Sequence, residues 1–416
     1  NMKLLPTAVA LGLLGPGWRY RTEVLTTPVM SGATSSIIVR ASGDPTWSTR
    51  YWPTVAAPFD SLAAAVERAG VRRATRLVID VSRFADEPVH PTWEVSDLPG
   101  VFAPPVDAFA AAEGTFRLAL FGGPVAGAPG DAAVVAPLAQ PVAATVTTDT
   151  AGARPAVSID FLSRRDTVRL AARVRAGGSD TTTHAVTRPA ESAAAALRSA
   201  LAARGIAVDT VLLLRDTAAA RAASVGAVPV GALLSPPLAD IVAGILRPSQ
   251  NWMTEQLLKT LGAEFAADGS WRGGNAVERE FLVRTIGLDS TSFQLRDGSG
   301  MSPQNLLSPV AAVGILGWAA QQPWAAAYRD AMAQPGLAGS TLSGRLRPLQ
   351  GRLHAKTGSI TNVNTLSGYF TAADGREVLF AILTNGSGAP AAAMRAAIDE
   401  VVMAMARHLD GSASTR

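Results

Sequence analysis

The run from Gly351 to Phe370 constrains the fold more than any other stretch. Gly351-Arg352-Leu353-His354-Ala355 alternates in the manner of a strand, and Ile360 to Phe370 is strand-like again, with Asn362 and Asn364 near its start. A period of two is satisfied only in a sheet, so Lys356-Thr357-Gly358 between the two runs sits on a strand. Lys356 and Gly358 then share one face and Thr357 takes the other, unless the strand twists or bulges at the glycine. Three residues recur by chance in long chains, so the tripeptide gains meaning only from partners elsewhere.

Lysine is the scarce residue of this chain. It occurs only at positions 3, 259 and 356, while 34 of the 37 basic residues are arginine. Arginine does not give up its proton in a protein, whereas a buried lysine has its pKa lowered and serves as a base. For Lys259, on a helix with charged neighbours, chance placement is the reading. Lys3 and Lys356 are the candidates for chemistry.

Composition excludes several classes. With 416 residues, 48% hydrophobic and 17% charged, the chain holds two or three domains with ample core. The net charge is +4 and the pI about 9.8, but the basic residues are scattered, with only Arg72-Arg73 and Arg164-Arg165 adjacent. That pattern argues against a nucleic-acid partner. Cysteine is absent, which removes disulfides, thiolate nucleophiles and zinc-thiolate sites. The four histidines, at 90, 184, 354 and 408, show no metal-ligand spacing, so neither metal nor cofactor is expected. No apolar run approaches the ~20 residues of a membrane span. The chain begins at Asn1, inside what reads as a helix, so a truncated or processed product is expected and a missing signal peptide says nothing about export.

Taken in order, Asn1 to Leu11 opens an apolar helix in which Pro6 is tolerable only in the first turns. Strand-like pieces follow at Thr22–Leu25 and Ser36–Arg40, leading into the turn cluster Ala41-Ser42-Gly43-Asp44-Pro45-Thr46. Phe59 to Ala69 reads as helix and Arg76 to Val81 as a buried strand. A Pro-rich loop spans Pro88 to Val106, and short β-type runs broken by Gly and Pro fill Phe116 to Ile159. Pro189 to Arg204 is an Ala-rich helix and Val208 to Leu214 a strand. Pro248-Ser249-Gln250-Asn251 separates two helices, Leu238 to Leu246 and Trp252 to Leu261, with Glu255 one turn into the second. Ser249 and Asn251 both suit an ordinary helix cap, and alone that is the simpler reading. The final helix, Ala391 to Leu409, is read as covering the sheet.

Taken together, these segments resemble the class C low-molecular-mass penicillin-binding proteins, the D-alanyl-D-alanine carboxypeptidase/endopeptidase family (peptidase family S13). The similarity rests on Asn1-Met2-Lys3 as the end of a Ser-x-x-Lys element, on Ser249-x-Asn251 and on Lys356-Thr357-Gly358. It extends to Asp297-Gly298-Ser299-Gly300-Met301-Ser302, to Pro335 through Leu342, and to the Trp93 to Val106 loop. Lys3 and Ser249 stand much farther apart than single-domain β-lactamases allow, and the S13 type inserts two accessory domains between these elements.

The resemblance implies an α/β (α+β) multi-domain fold. Its transpeptidase-like catalytic domain, an antiparallel sheet flanked by helices plus an all-helical part, is expected at residues 1–24 and 236–416. Two nested, largely β accessory domains are expected at 25–49 with 138–235 and at 50–137. It implies attack by a serine immediately before Asn1 on a stem peptide ending in D-Ala-D-Ala, with Lys3 as base, since residues three apart on a helix share a face. Ser249 would relay a proton to the leaving amine from Lys3 or Lys356, and Asn251 would bond Lys3 and the substrate amide. Lys356, Thr357 and Ser359 would hold the terminal carboxylate, Gly358 would let the substrate backbone lie against the strand, and Asp97 would meet the stem peptide's amino group. β-Lactams are implied as covalent inhibitors, and an extracytoplasmic site of action, soluble or peripheral to the membrane. One departure is Pro303 after Ser302, where many relatives carry an Arg that helps bind the acidic end of the stem peptide.

Three alternatives remain. One is a β-lactamase or esterase-like hydrolase of the same superfamily. Another is a Ser-His-Asp hydrolase, against which stand the lack of a Gly-x-Ser-x-Gly elbow around Ser299 and the absence of obvious histidine partners. The third is a non-catalytic peptidoglycan-binding scaffold, which the chain would be if Asn1 were truly first.

Overall fold

A computed structural model describes residues 1–85, 88–98, 100–135, 137–150, 156–160 and 167–413. The chain forms two compact units, residues 1–19 with 236–416, and residues 20–235.

The first unit joins the two ends of the chain. Its opening helix, Leu4–Leu14, is buried from Leu4 to Leu11, with Pro6 in the first turn. A helix apolar on all sides has no face to give to water and must lie inside. It packs among the helices Asn251–Phe265, Trp271–Arg284 and Pro309–Ala320. The Asn251–Phe265 helix is likewise buried without interruption from Trp252 to Gly262. The sequence pattern hides the Trp271–Arg284 helix because Gly273-Gly274 sits in its first turns, where glycine is a poor helix former. A Cβ at Gly274 would run into the Leu258 carbonyl, so the glycine is there to let two helices approach.

The sheet of this unit has three antiparallel strands, Leu353–Ile360, Val363–Thr371 and Glu377–Asn385, with the second in the middle. Lys356 pairs with Ser367 and Gly358 with Thr365. The strand-like run from Ile360 is broken at Thr361-Asn362, a two-residue hairpin turn in which Asn362 has φ 60°. Asparagine tolerates that left-handed conformation, and the turn suits the twist of the strands. On one face Leu366, Phe370 and Phe380 form a core with Ile398, Val402 and Ala406 of the helix Ala391–Ala413. On the other pleat the Tyr369 hydroxyl donates to the Leu316 carbonyl at 2.9 Å, tying the sheet to the Pro309–Ala320 helix.

The second unit holds a five-stranded mixed sheet in the order Ala207–Leu214, Arg73–Asp80, Ala33–Arg40, Arg21–Thr26, Val228–Leu234. Arg73–Asp80 runs parallel to both of its neighbours. Parallel neighbours need crossovers, and the helices Ala57–Arg68 and Pro189–Ala203 supply them and pack on the sheet. Two three-stranded sheets make the rest: Thr115–Phe121 between Asp131–Val134 and Ser179–Ala185, and Val168–Arg175 between Val142–Asp149 and Ala156–Asp160. They share a core that includes Phe116, Leu118, Leu120, Leu170 and Val174.

Strand pairing divides this unit differently from the expected 25–49/138–235 and 50–137 segments. Arg73–Asp80 is hydrogen-bonded between Ala33–Arg40 and Ala207–Leu214, and the smaller sheets run from Thr115 to Ala185 across the expected boundary. The larger sheet, with its helices, is α/β rather than largely β. The strand Arg21–Thr26 pairs with Val228–Leu234 over its whole length, so the second unit begins at Tyr20 and not after residue 24.

Candidate active site

One cavity of about 290 Å³ in the first unit is lined by Lys3, Ser249, Asn251 and Lys356, and by Thr357, Gly358 and Ser359 of the same strand. The start of the opening helix, the Ser249–Asn251 turn, the segment from Ser299 to Leu307 and the Leu353–Ile360 strand with its sheet neighbours meet there.

Lys3 is 5% exposed, and its Nζ donates to the Ser299 carbonyl at 2.7 Å. Two bonds fix the first turn that carries it: the Thr7 hydroxyl donates to the Lys3 carbonyl at 2.6 Å and the Tyr328 hydroxyl to the Leu4 carbonyl at 2.8 Å. Ser299 is held in turn by Glu255, fully buried on the Asn251–Phe265 helix. The Glu255 carboxylate accepts from the N–H of Ser299 at 2.7 Å, the N–H of Gly298 at 3.1 Å and the Trp271 indole at 2.8 Å. Asp297 accepts from the N–H groups of Gly300 and Ser302, at 2.8 and 2.6 Å, and from the Asn305 amide at 2.8 Å. Two buried carboxylates therefore shape the 297–302 loop.

Lys356 is 1% exposed, and its Nζ donates to the Ser249 hydroxyl and to the Thr357 carbonyl, both at 2.7 Å. Ser249 holds φ 64°, a left-handed conformation that is costly for serine and free for glycine. Neither Ser249 nor Asn251 caps the helix that follows. Gln250 does, its side chain accepting from the Met253 N–H at 3.0 Å. The cap reading is thereby overturned, and the Ser249 hydroxyl points instead at an amine.

The rest of the strand is tied in by hydroxyls. Thr357 donates to the Thr341 hydroxyl at 2.8 Å and Ser359 to the Asn364 side-chain carbonyl at 3.2 Å. A Cβ on Gly358 would run into the Thr365 hydroxyl and lie 3.0 Å from the Asn1 nitrogen. The chain's own packing thus already requires the glycine. Asp97 belongs to the second unit, half-buried on the turn Val95–Asp97.

Burial dominates the electrostatics. It pushes the Lys3 amine down to about 8, against the pull of Glu255 and Asp297, which favour its charged form. Burial, together with the charge of Lys3, pushes Lys356 well below its ordinary value. Burial and the neighbouring Asp297 raise Glu255 to about 7 while its hydrogen-bond donors resist. Glu278, on the Trp271–Arg284 helix, is also fully buried and raised well above the usual carboxylate range by burial, Glu255 and Asp297.

Sequence reasoning missed several of these groups. Lys259 is not a surface residue placed by chance: it is 1% exposed with Nζ 4.0 Å from the Trp271 ring centre. A helix buried on all sides turns charged neighbours into partners, which no pattern of polarity announces. Glu255 stands four residues after Asn251, hence on its face of the helix, and that spacing was the available signal.

Comparison with known proteins adds a second line of observation. The model of the D-Ala-D-Ala carboxypeptidase 3 (S13) family matches residues 1–407. A D-alanyl-D-alanine carboxypeptidase of Actinomadura sp. (strain R39) is 30% identical over 410 residues, 94% of this chain and 73% of the relative. Carboxypeptidase DacB of Mycolicibacterium smegmatis is 26% identical over 401 residues, 93% of this chain and 70% of its own. In fold, the chain is similar to penicillin binding protein 4 (dacB) from Haemophilus influenzae, with a TM-score of 0.81 at 22% identity, covering 94% of this chain and 85% of that one.

Proposed function

The chain belongs to the D-Ala-D-Ala carboxypeptidase 3 (S13) family, and on that premise we propose how its cleft cleaves the terminal D-Ala-D-Ala bond of peptidoglycan stem peptides. The observation that carries this reading is the pair of buried lysines in one cavity, with Ser249 bonded to Lys356.

The nucleophile is a serine joined to the Asn1 nitrogen, which lies beside Gly358 at the cleft. Its hydroxyl oxygen attacks the carbonyl of the penultimate D-alanine, and its proton passes to neutral Lys3. Backbone N–H groups of that serine and of Ser359 receive the oxyanion. As the C–N bond breaks, the departing D-alanine nitrogen takes a proton from the Ser249 hydroxyl, which is refilled by Lys356 across the 2.7 Å bond between them. Lys356, Thr357 and Ser359 engage the substrate's terminal carboxylate, and Asn251 bonds its amide. Water then hydrolyses the acyl-serine ester, the step that β-lactams delay.

Among the described residues no helix is long and apolar enough to cross a membrane. An extracytoplasmic site of action follows from the proposed substrate, which is a wall polymer. The test is mass spectrometry of the full-length protein after treatment with penicillin. A penicilloyl adduct on the tryptic peptide that contains Asn1 and Met2, ending at Lys3 in the parent and at Arg19 in Lys3→Ala, is expected in the parent and absent from the variant. An adduct elsewhere, or none, would overturn the assignment.

A further inference from the structure

Lys3 does not meet a bare cavity wall. Its amine donates to the carbonyl of Ser299, and the N–H of that same residue donates to Glu255. One residue thus links the lysine to a buried carboxylate. All three bonds to Glu255 come from donors, two backbone N–H groups and the Trp271 indole. A carboxyl group surrounded only by donors can satisfy them all when ionised. Protonation would set its O–H against an N–H.

We propose that Glu255 is a positioning residue for the reaction: through Ser299 and through its own negative charge it holds Lys3 in place as an effective base. The inference rests on the assignment of Lys3 as the base given above. Its physical logic concerns strength. Burial alone makes a lysine neutral but also a weak base, and a base works best with a pKa near the operating pH. Glu255, followed by Asp297, opposes the effect of burial and leaves Lys3 at about 8.

The charged surroundings of Glu255 come from each element packed on it. Lys259 is one turn along its own helix, above the Trp271 ring. The Trp271–Arg284 helix brings Glu278, whose carboxylate oxygens are both buried without a hydrogen-bond partner. The 297–302 loop brings Asp297, and the opening helix brings Lys3. The Leu238–Leu246 helix carries Asp240 as its charged residue. Glu278 and Asp297 act against ionisation of Glu255, and its three donors and the nearby cations act for it.

The test is the pH profile of penicillin acylation in full-length protein. Glu255→Gln is expected to lower the plateau and to move the acid limb, set by Lys3, down by about one unit. Glu255→Asp keeps the charge with a shorter reach, so its plateau falls while its limb stays near that of the parent. If Glu255→Gln does not fold, Asp297→Asn carries the test, with a smaller shift in the same direction. An unmoved limb, whatever the plateau, overturns the proposal and leaves Glu255 a structural residue. A parent enzyme with no acid limb, or Lys3→Ala acylating at the parent rate, would instead overturn the assignment of Lys3.

Discussion

The two lysines of the cleft are one residue type under one dominant influence, and they differ in what stands behind them. Both are buried, and burial depresses both. Lys3 has two carboxylates, Glu255 and Asp297, favouring its charged form, and its bonded partner is a carbonyl. Lys356 bonds a hydroxyl and a carbonyl, and the charge that acts on it is the unfavourable one of Lys3. The first amine is therefore kept in reach of both protonation states without help. The groups bonded to the second are neutral and the charge beside it disfavours its own, so the carboxylate proposed to bind there would favour its charged form.

The sharpest way to break this contrast is to exchange each lysine for arginine, which keeps charge and forbids deprotonation. Lys3→Arg should lower the acylation rate by about 10³-fold, as a lost general base does. Lys356→Arg, which keeps the charge but cannot refill Ser249 with a proton, should cost about 10²-fold, the low end of lost acid–base catalysis. Equal losses, measured by stopped-flow acylation, would erase the distinction.

Two experiments on protons sharpen it. The proposed role of Lys3 as base requires the neutral amine, so acylation should rise about tenfold per unit as pH climbs toward 8 and level off above. A peptide product ending in D-alanine should bring up to about one proton into the site as it binds near neutral pH, because the proposed bond of its carboxylate to Lys356 favours the charged amine. Calorimetry in buffers of different ionisation enthalpy measures that uptake, and a value of zero would contradict the contrast. The smallest effect belongs to Thr357→Val, which should weaken carboxylate-bearing ligands by about 5-fold, one neutral hydrogen bond, and leave ligands without that group unchanged.

Lys3 and Lys356 were legible in the sequence because scarcity set them apart, and their strand and helix followed from periodicity. Ser249 was legible only by its resemblance to a known pattern, since a serine before a helix reads as a cap until Gln250 is seen to take that position. The burial of Glu255 and Lys259 was not legible. Both lie on a helix with no solvent face, and charged residues in a sequence are ordinarily assigned to water. The pairing of Arg73–Asp80 with Ala207–Leu214 was invisible for another reason: parallel strands are joined by crossovers whose partners the chain order does not reveal.

The left-handed backbone of Ser249 has a consequence for how this enzyme can be improved. Its conformation costs on the order of 1 kcal/mol or more, and glycine adopts it freely. Ser249→Gly should therefore melt at a higher temperature than Ser249→Ala while both lose the relay hydroxyl. A search for thermostable variants would select the glycine and remove the hydroxyl bonded to Lys356, so durability is set against the proposed proton relay at a single backbone angle.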